Sequence, residues 1–200
     1  MTQRVLITGS AGHVGRALVA AYRAQGDEVI GLDLPGTGAD IEQDLDEAPY
    51  RDVLAEYDIA ILNAKCKTWQ SHYMIAQRAS SCVVAVSSIY GVIGCDPKMY
   101  EDTEVPPTPA WYAYEKGGMI ALTKHMATTL APVRSNCVII GGIERGHSDE
   151  FKRRYCAKVP LKRMATEQDA VEAIMWLASE RAAYVNGHAL VCDGGLSVCA

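Results

Sequence analysis

Residues 4–15 read RVLITGSAGHVG, and this stretch decides the fold. Arg4 to Thr8 is a short apolar run without polar alternation, the pattern of a strand buried on both faces of a parallel sheet. From Val14 to Ala24 the apolar residues Val14, Leu18, Val19 and Tyr22 recur at helical spacing. Between strand and helix stand Gly9, Gly12 and Gly15. In such a turn the first glycine allows the tight bend. The second lets backbone approach a pyrophosphate, and the third lets helix pack on sheet. The helix N-terminus, opening with Val14, then offers free N–H groups and a positive dipole end to phosphate, which His13 in the loop before it could also touch. A solvated loop histidine is the simpler reading of His13 itself.

Outward from this stretch, Glu28 to Leu34 (EVIGLDL) forms a second strand, broken by Pro35, Gly36 and Gly38. Asp33 and Leu34 end it. A carboxylate there accepts hydrogen bonds from the adenosine ribose and repels a 2′-phosphate. No basic residue follows closely, so NAD(H) is the expected cofactor. The plain alternative is a carboxylate that merely caps a turn.

A short third strand is expected to end at Asp44-Leu45, followed by a helix over 50–57 and a fourth strand over Asp58–Ala64. A helix near 70–79 leads to a fifth strand, Cys82–Ser88, and then to a proline-rich loop. A long helix runs from about Trp111 to Leu130, and Asn136–Ile140 is a sixth strand with a glycine pair behind it. The helix over Glu167–Ser179 precedes a last strand, His188–Cys192, and an Asp193-Gly194-Gly195 turn. Strands alternating with helices demand a doubly wound parallel sheet with helices on both faces, a three-layer αβα arrangement of the α/β class. The 200 residues, 49% hydrophobic, suit one domain over the whole length.

The net charge of −5 gives no electrostatic footprint for nucleic acid or an anionic membrane. No apolar run approaches the roughly 20 residues that span a bilayer. The chain enters its first strand within four residues, leaving no room for a secretory signal, so a cytoplasmic location is expected. Seven scattered cysteines form no CxxC pair, which argues against a metal site and against a disulfide framework. Cys66 and Cys95 lie near the expected site and are read as packing.

Ser87-Ser88 ends the fifth strand at its carboxyl edge, where ligands lie in open α/β sheets. Tyr112 and Lys116 are four apart on the next helix and share one face, whereas Tyr114 points off it. Reducing a carbonyl builds charge on oxygen, which needs a proton donor and a hydrogen-bond partner. A phenol beside an ammonium can serve, because the positive charge favours phenolate. Ser88, Tyr112 and Lys116 are therefore the expected catalytic group. Taken alone, the pair would be an ordinary surface contact.

These motifs together resemble the short-chain dehydrogenase/reductase family, over nearly the whole chain. The glycine loop, Asp33, Asp44-Leu45 and Asn63-Ala64 resemble its cofactor positions, while Ser88 and Tyr112-Ala-Tyr-Glu-Lys116 resemble its catalytic serine and YxxxK. The resemblance implies a Rossmann domain and NAD(P)-dependent interconversion of an alcohol and a carbonyl. It also implies cofactor contacts at Lys65, Gly141 and Ile143, and a hydrogen bond from Lys116 to the nicotinamide ribose. The sequence departs from the pattern in several places. Lys65 replaces a glycine, Ile140 replaces a proline, and no asparagine stands between Asn63 and Asn136 to support the family's proton relay. Ser88-Ile-Tyr-Gly91 with its long loop resembles the extended, sugar-nucleotide-handling branch.

The C-terminal end, through Asp193-Gly194-Gly195, resembles the single-domain branch instead, and a sugar-related small-molecule substrate would fit both likenesses. Residues 142–160 read as a lid carrying Arg145, Lys152, Arg153 and Arg154, either to attract an anionic sugar or as a mixed-charge solvated face with Asp149 and Glu150. Tyr90, Cys95, Trp111 and His147 are candidate pocket residues. Two other functions fit the motifs: an inactive NAD(H)-binding regulator, and a nucleotide-sugar epimerase. Pairing through the Tyr112 helix would give a homodimer or homotetramer.

Overall fold

The computed structural model describes residues 2–46, 56–66 and 69–199. Seven strands form one parallel sheet: β1 (Arg4–Thr8), β2 (Glu28–Asp33), β3 (Ile41–Glu42), β4 (Tyr57–Leu62), β5 (Ala79–Ser88), β6 (Arg134–Ile140) and β7 (Ala189–Cys192). Their order across the sheet is β3-β2-β1-β4-β5-β6-β7. The chain winds outward from β1 to β3, then returns to the other side of β1, so a crevice opens between the carboxyl ends of β1 and β4.

Helices α1 (His13–Ala24) and α5 (Glu167–Ala178) cover one face; α2 (Trp69–Ala76) and α3 (Ala110–Thr129) cover the other. Successive strand residues alternate between the two cores. Val5 and Ile7 join Leu18, Tyr22, Val171 and Ile174 on the first side. Leu6 joins Leu62, Ile75, Met119 and Met126 on the second. Each fully buried aliphatic side chain of this kind contributes about 1.5–3 kcal/mol. The layered α/β architecture expected from the sequence is the one observed.

Several boundaries differ. The third strand is only Ile41–Glu42, and Asp44 and Leu45 follow it as a turn in which Asp44 accepts the Asp46 N–H. The helix expected over 50–57 lies outside the described residues except at its end, where Tyr57 opens β4 instead. Its buried ring and its hydroxyl bond to the Ile75 carbonyl favour the sheet. β5 begins three residues early because Ala79 pairs with Tyr57 across a bulge. The segment after β6 contains α4 (Asp149–Lys158), started by the Ser148 side chain accepting the Phe151 N–H. There Phe151 and Tyr155 pack with Met99, Tyr100, Val159 and Met164 in a third small core.

Candidate active site

The carboxyl edge of the sheet holds a cleft of about 980 Å³. The glycine loop lines it. Gly9 has φ +67°, and an added Cβ would lie 2.9 Å from Asn63 Nδ2, so the bend needs a residue without a side chain. Gly15 faces inward: a Cβ there would lie 2.0 Å from the Gly9 carbonyl oxygen. It therefore packs helix on loop and does not line the cleft, whereas Gly9, Gly12, His13 and Val14 do. Thr8 fastens the floor, a role the sequence reading missed; its Oγ1 accepts the N–H groups of Asn63 and Ala64 at 3.0 Å. Asn63 Nδ2 in turn donates to the Gly9 carbonyl at 3.1 Å.

These residues fit a dinucleotide. No side chain caps the start of α1 and no acidic residue occupies its first turn, which leaves that turn's N–H groups for an anion. Asp33 stands at the end of β2 with Oδ2 accepting the Ala11 N–H at 2.7 Å and Oδ1 the Leu34 N–H at 2.8 Å. It braces the loop while lining the cleft, and its remaining lone pairs can take ribose hydroxyls. Leu34, Asp44, Leu45, Asn63, Ala64, Lys65, Gly141 and Ile143 line the same cleft. His13 reaches Glu167 at 3.9 Å.

Ser88, Tyr112 and Lys116 line the same cleft. Ser88 Oγ accepts the Tyr90 N–H at 3.3 Å, keeping its own proton to donate. Ser87 Oγ donates to the Lys116 carbonyl at 2.7 Å and ties β5 to α3. Lys116 Nζ lies 5.6 Å from the Tyr112 ring centroid, donates to the Val86 carbonyl at 3.3 Å, and stands 3.3 Å from Glu115 Oε1. That oxygen is buried and not aligned as a hydrogen bond, so the contact is an ion pair. His72 on α2 is buried with both ring nitrogens unpartnered; burial and then the Lys116 charge push it down to about 4. It is therefore neutral at ordinary pH. Burial, with the Asp46 and Glu115 carboxylates, pushes the Cys66 thiol up to about 12, which fits a packing thiol.

Three further phenols line the cleft: Tyr90, Tyr100 and Tyr155. Burial raises all three above the ordinary tyrosine value. Each is also engaged: Tyr90 with Tyr100, Tyr100 with Thr108 at 3.4 Å, and Tyr155 with the Gly142 N–H at 2.5 Å. Tyr112 is the phenol flanked by ammonium groups. Tyr114 is 85% exposed and points away.

Of the other candidate pocket residues, Tyr90 and His147 line the cleft, whereas Cys95 and Trp111 do not. The expected lid cations are mostly neutralised. Lys152 pairs with Glu144 and Asp149, and Arg153 and Arg154 both pair with Glu150. They form a mixed-charge helix face. Arg145 alone of the four lines the cleft and has no carboxylate partner among the described residues. Among the described residues no helix is long and apolar enough to cross a membrane, and no His/Cys/Asp/Glu group could hold a metal.

A family profile described as enoyl-(acyl carrier protein) reductase matches residues 69–197. Over 96% of its length the chain is 27% identical to an uncharacterised short-chain type dehydrogenase/reductase of Sinorhizobium fredii, covering 43% of that protein. It is 34% identical over 62% of its length to an L-rhamnose 1-dehydrogenase (NAD(P)(+)) of a Sphingomonas species, covering 48% of it. The chain thus spans less than half of either relative. Among solved structures it superposes on a short-chain dehydrogenase of Leptospira borgpetersenii with bound NAD+ at a TM-score of 0.83, with 26% identity, covering 98% of this chain and 93% of that one.

Proposed function

The chain belongs to the short-chain dehydrogenase/reductase family, and from that premise we propose that it interconverts an alcohol and a carbonyl with NAD(H). One observation carries the reading: a single cleft is lined both by the glycine loop and Asp33 and by Ser88, Tyr112 and Lys116. When bound, the nicotinamide cofactor supplies or accepts the hydride. The glycine loop and the start of α1 hold the diphosphate, Asp33 the adenosine ribose, and Lys116 the nicotinamide ribose. Tyr112 gives its phenolic proton to the carbonyl oxygen in reduction and takes it back in oxidation. Ser88 donates a hydrogen bond to that oxygen and fixes its position. Turnover of NADH with a panel of aldoses, ketoses and simple ketones tests the proposal. Tight NADH binding by fluorescence with no oxidation across the panel would replace it with the regulatory reading.

Asp33 supports a preference for NAD(H) over NADP(H), since residues 34–40 contain no lysine or arginine to neutralise a 2′-phosphate. Asp33→Ser should raise the ratio of kcat/KM for NADPH to that for NADH by about tenfold or more, or ~1.4 kcal/mol. An unchanged ratio would remove Asp33 from cofactor discrimination. The substrate side of the cleft supports a hydroxylated, sugar-related compound: Tyr90, Tyr100, Thr108 and His147 present polar groups along it.

A homodimer or homotetramer built on α2 and α3 completes the proposal. Trp69 and Trp111 there are 59% and 56% exposed, apolar surface that pairing would remove from water. Light scattering at micromolar concentration should return at least a dimer; a monomer throughout would refute the pairing.

A further inference from the structure

Tyr112 has two ammonium neighbours, and they differ in what else they touch. Lys116 Nζ is 5.6 Å from the ring centroid, and Lys65 Nζ is 5.7 Å from it. Lys116 is not an open charge. Its side chain and that of Glu115 are only 6% and 12% exposed, and the two charges stand 3.3 Å apart. Poorly hydrated opposite charges this close behave as a short dipole, whose field falls off much faster than that of a lone cation. Lys65, on the turn after β4, has no carboxylate partner among the described residues and lines the cleft. Its ammonium also lies 5.7 Å from the Trp111 ring, and Trp111 meets Tyr112 edge-on, so the lysine is held against both rings.

We propose that Lys65 is a second cation serving Tyr112, a positioning residue that supplies the positive charge Glu115 withdraws from Lys116. The proposal rests on the reading of Tyr112 as the proton-transferring group. The surrounding charges leave it this task. From α3 come Glu115 and Lys116, and from α2 comes His72, which is neutral. From the β4 turn come Lys65 and Cys66, the latter a protonated thiol. Tyr90, Tyr100 and Tyr155 in the same cleft are protonated, and the cleft's other charged or titratable lining groups include Asp33, Asp44, Arg145 and His147.

The test uses the whole chain without ligand and follows tyrosinate absorbance at 295 nm against pH. The difference between wild type and Tyr112→Phe isolates the Tyr112 step. In Lys65→Met that step moves to higher pH, by about tenfold in the ionisation equilibrium; in Lys65→Arg it stays with wild type. Glu115→Gln moves it the other way, because a negative charge is removed. Lys65 is exposed, so both of its variants should fold, and they carry the test even where Glu115→Gln does not. A step unmoved by Lys65→Met overturns the proposal, as does an equal shift in Met and Arg variants, which would point to packing and not charge. The catalytic reading is judged separately: if Tyr112→Phe keeps wild-type turnover, that reading falls while the titration still reports on Lys65.

Discussion

Tyr112→Phe should lower kcat by roughly 10²–10⁴-fold, the span that a positioned proton donor contributes, while NADH binds within about twofold of wild type. The change removes one oxygen from a ring that is partly exposed at the start of α3. Among the described residues no hydrogen bond to that oxygen is formed, unlike the hydroxyls of Tyr57, Tyr90 and Tyr155. The aromatic contacts with Trp111, Lys65 and Lys116 survive in phenylalanine. Melting temperature should therefore hold, and the loss should fall on kcat and kcat/KM together, the signature of an interaction made in the transition state. The nearest rival donor is Tyr90, beside Ser88, but burial and its bond to Tyr100 hold its proton on. Tyr90→Phe should accordingly leave kcat within about tenfold of wild type. Turnover unchanged in Tyr112→Phe, or lost instead in Tyr90→Phe, would move the proton transfer to another phenol.

What the sequence discloses about this site follows from how local each feature is. The glycine loop, Asp33 and Ser88 sit where a strand ends, and strand ends are marked by an apolar run meeting glycine, acid or serine. The Tyr112 and Lys116 pairing follows from helical spacing alone. Features that depend on contacts across the fold were not readable. α4 carries mostly charged residues, so its Phe151 and Tyr155 resembled a lid; only packing against Met99 and Tyr100 turns them into a core. Its arginines are neutralised by Glu150 one turn away, which is the mixed-charge helix face that the interleaved acids of the sequence already offered as the alternative to an anion-attracting lid. Thr8 looked like the end of a strand, and its three-way tie between β1 and β4 appears only once the strands are neighbours. Lys65 stood out as a departure from the family's glycine. That it lies against Tyr112 required the turn after β4 and the start of α3 to meet.

Gly15→Ala should separate the two jobs of the glycine loop, because the smallest possible side chain already meets backbone there. The added Cβ would lie 2.0 Å from the Gly9 oxygen and 2.8 Å from both the Gly9 carbon and Ser10 Cα. None of these atoms is the end of a flexible side chain, so the loop itself must move. Overpacking of this kind costs about 1–3 kcal/mol, which for a chain of this length lowers the melting temperature by about 2–12 °C. The displaced loop also carries the Gly9 carbonyl held by Asn63 and the Ala11 N–H held by Asp33, so the phosphate-facing backbone shifts with it. Wild type should gain about 2.7 kcal/mol from NADH at a hundred times its Kd, and the variant should gain almost none. Gly118→Ala is the control: it too lies in a helix, but nothing stands within 4 Å of its added Cβ. Removing a helix-interior glycine there should stabilise the chain by about 0.5–1 kcal/mol and leave the NADH effect intact. If Gly15→Ala keeps both the wild-type melting temperature and the NADH shift, the close contact between α1 and the loop is not what shapes the dinucleotide site.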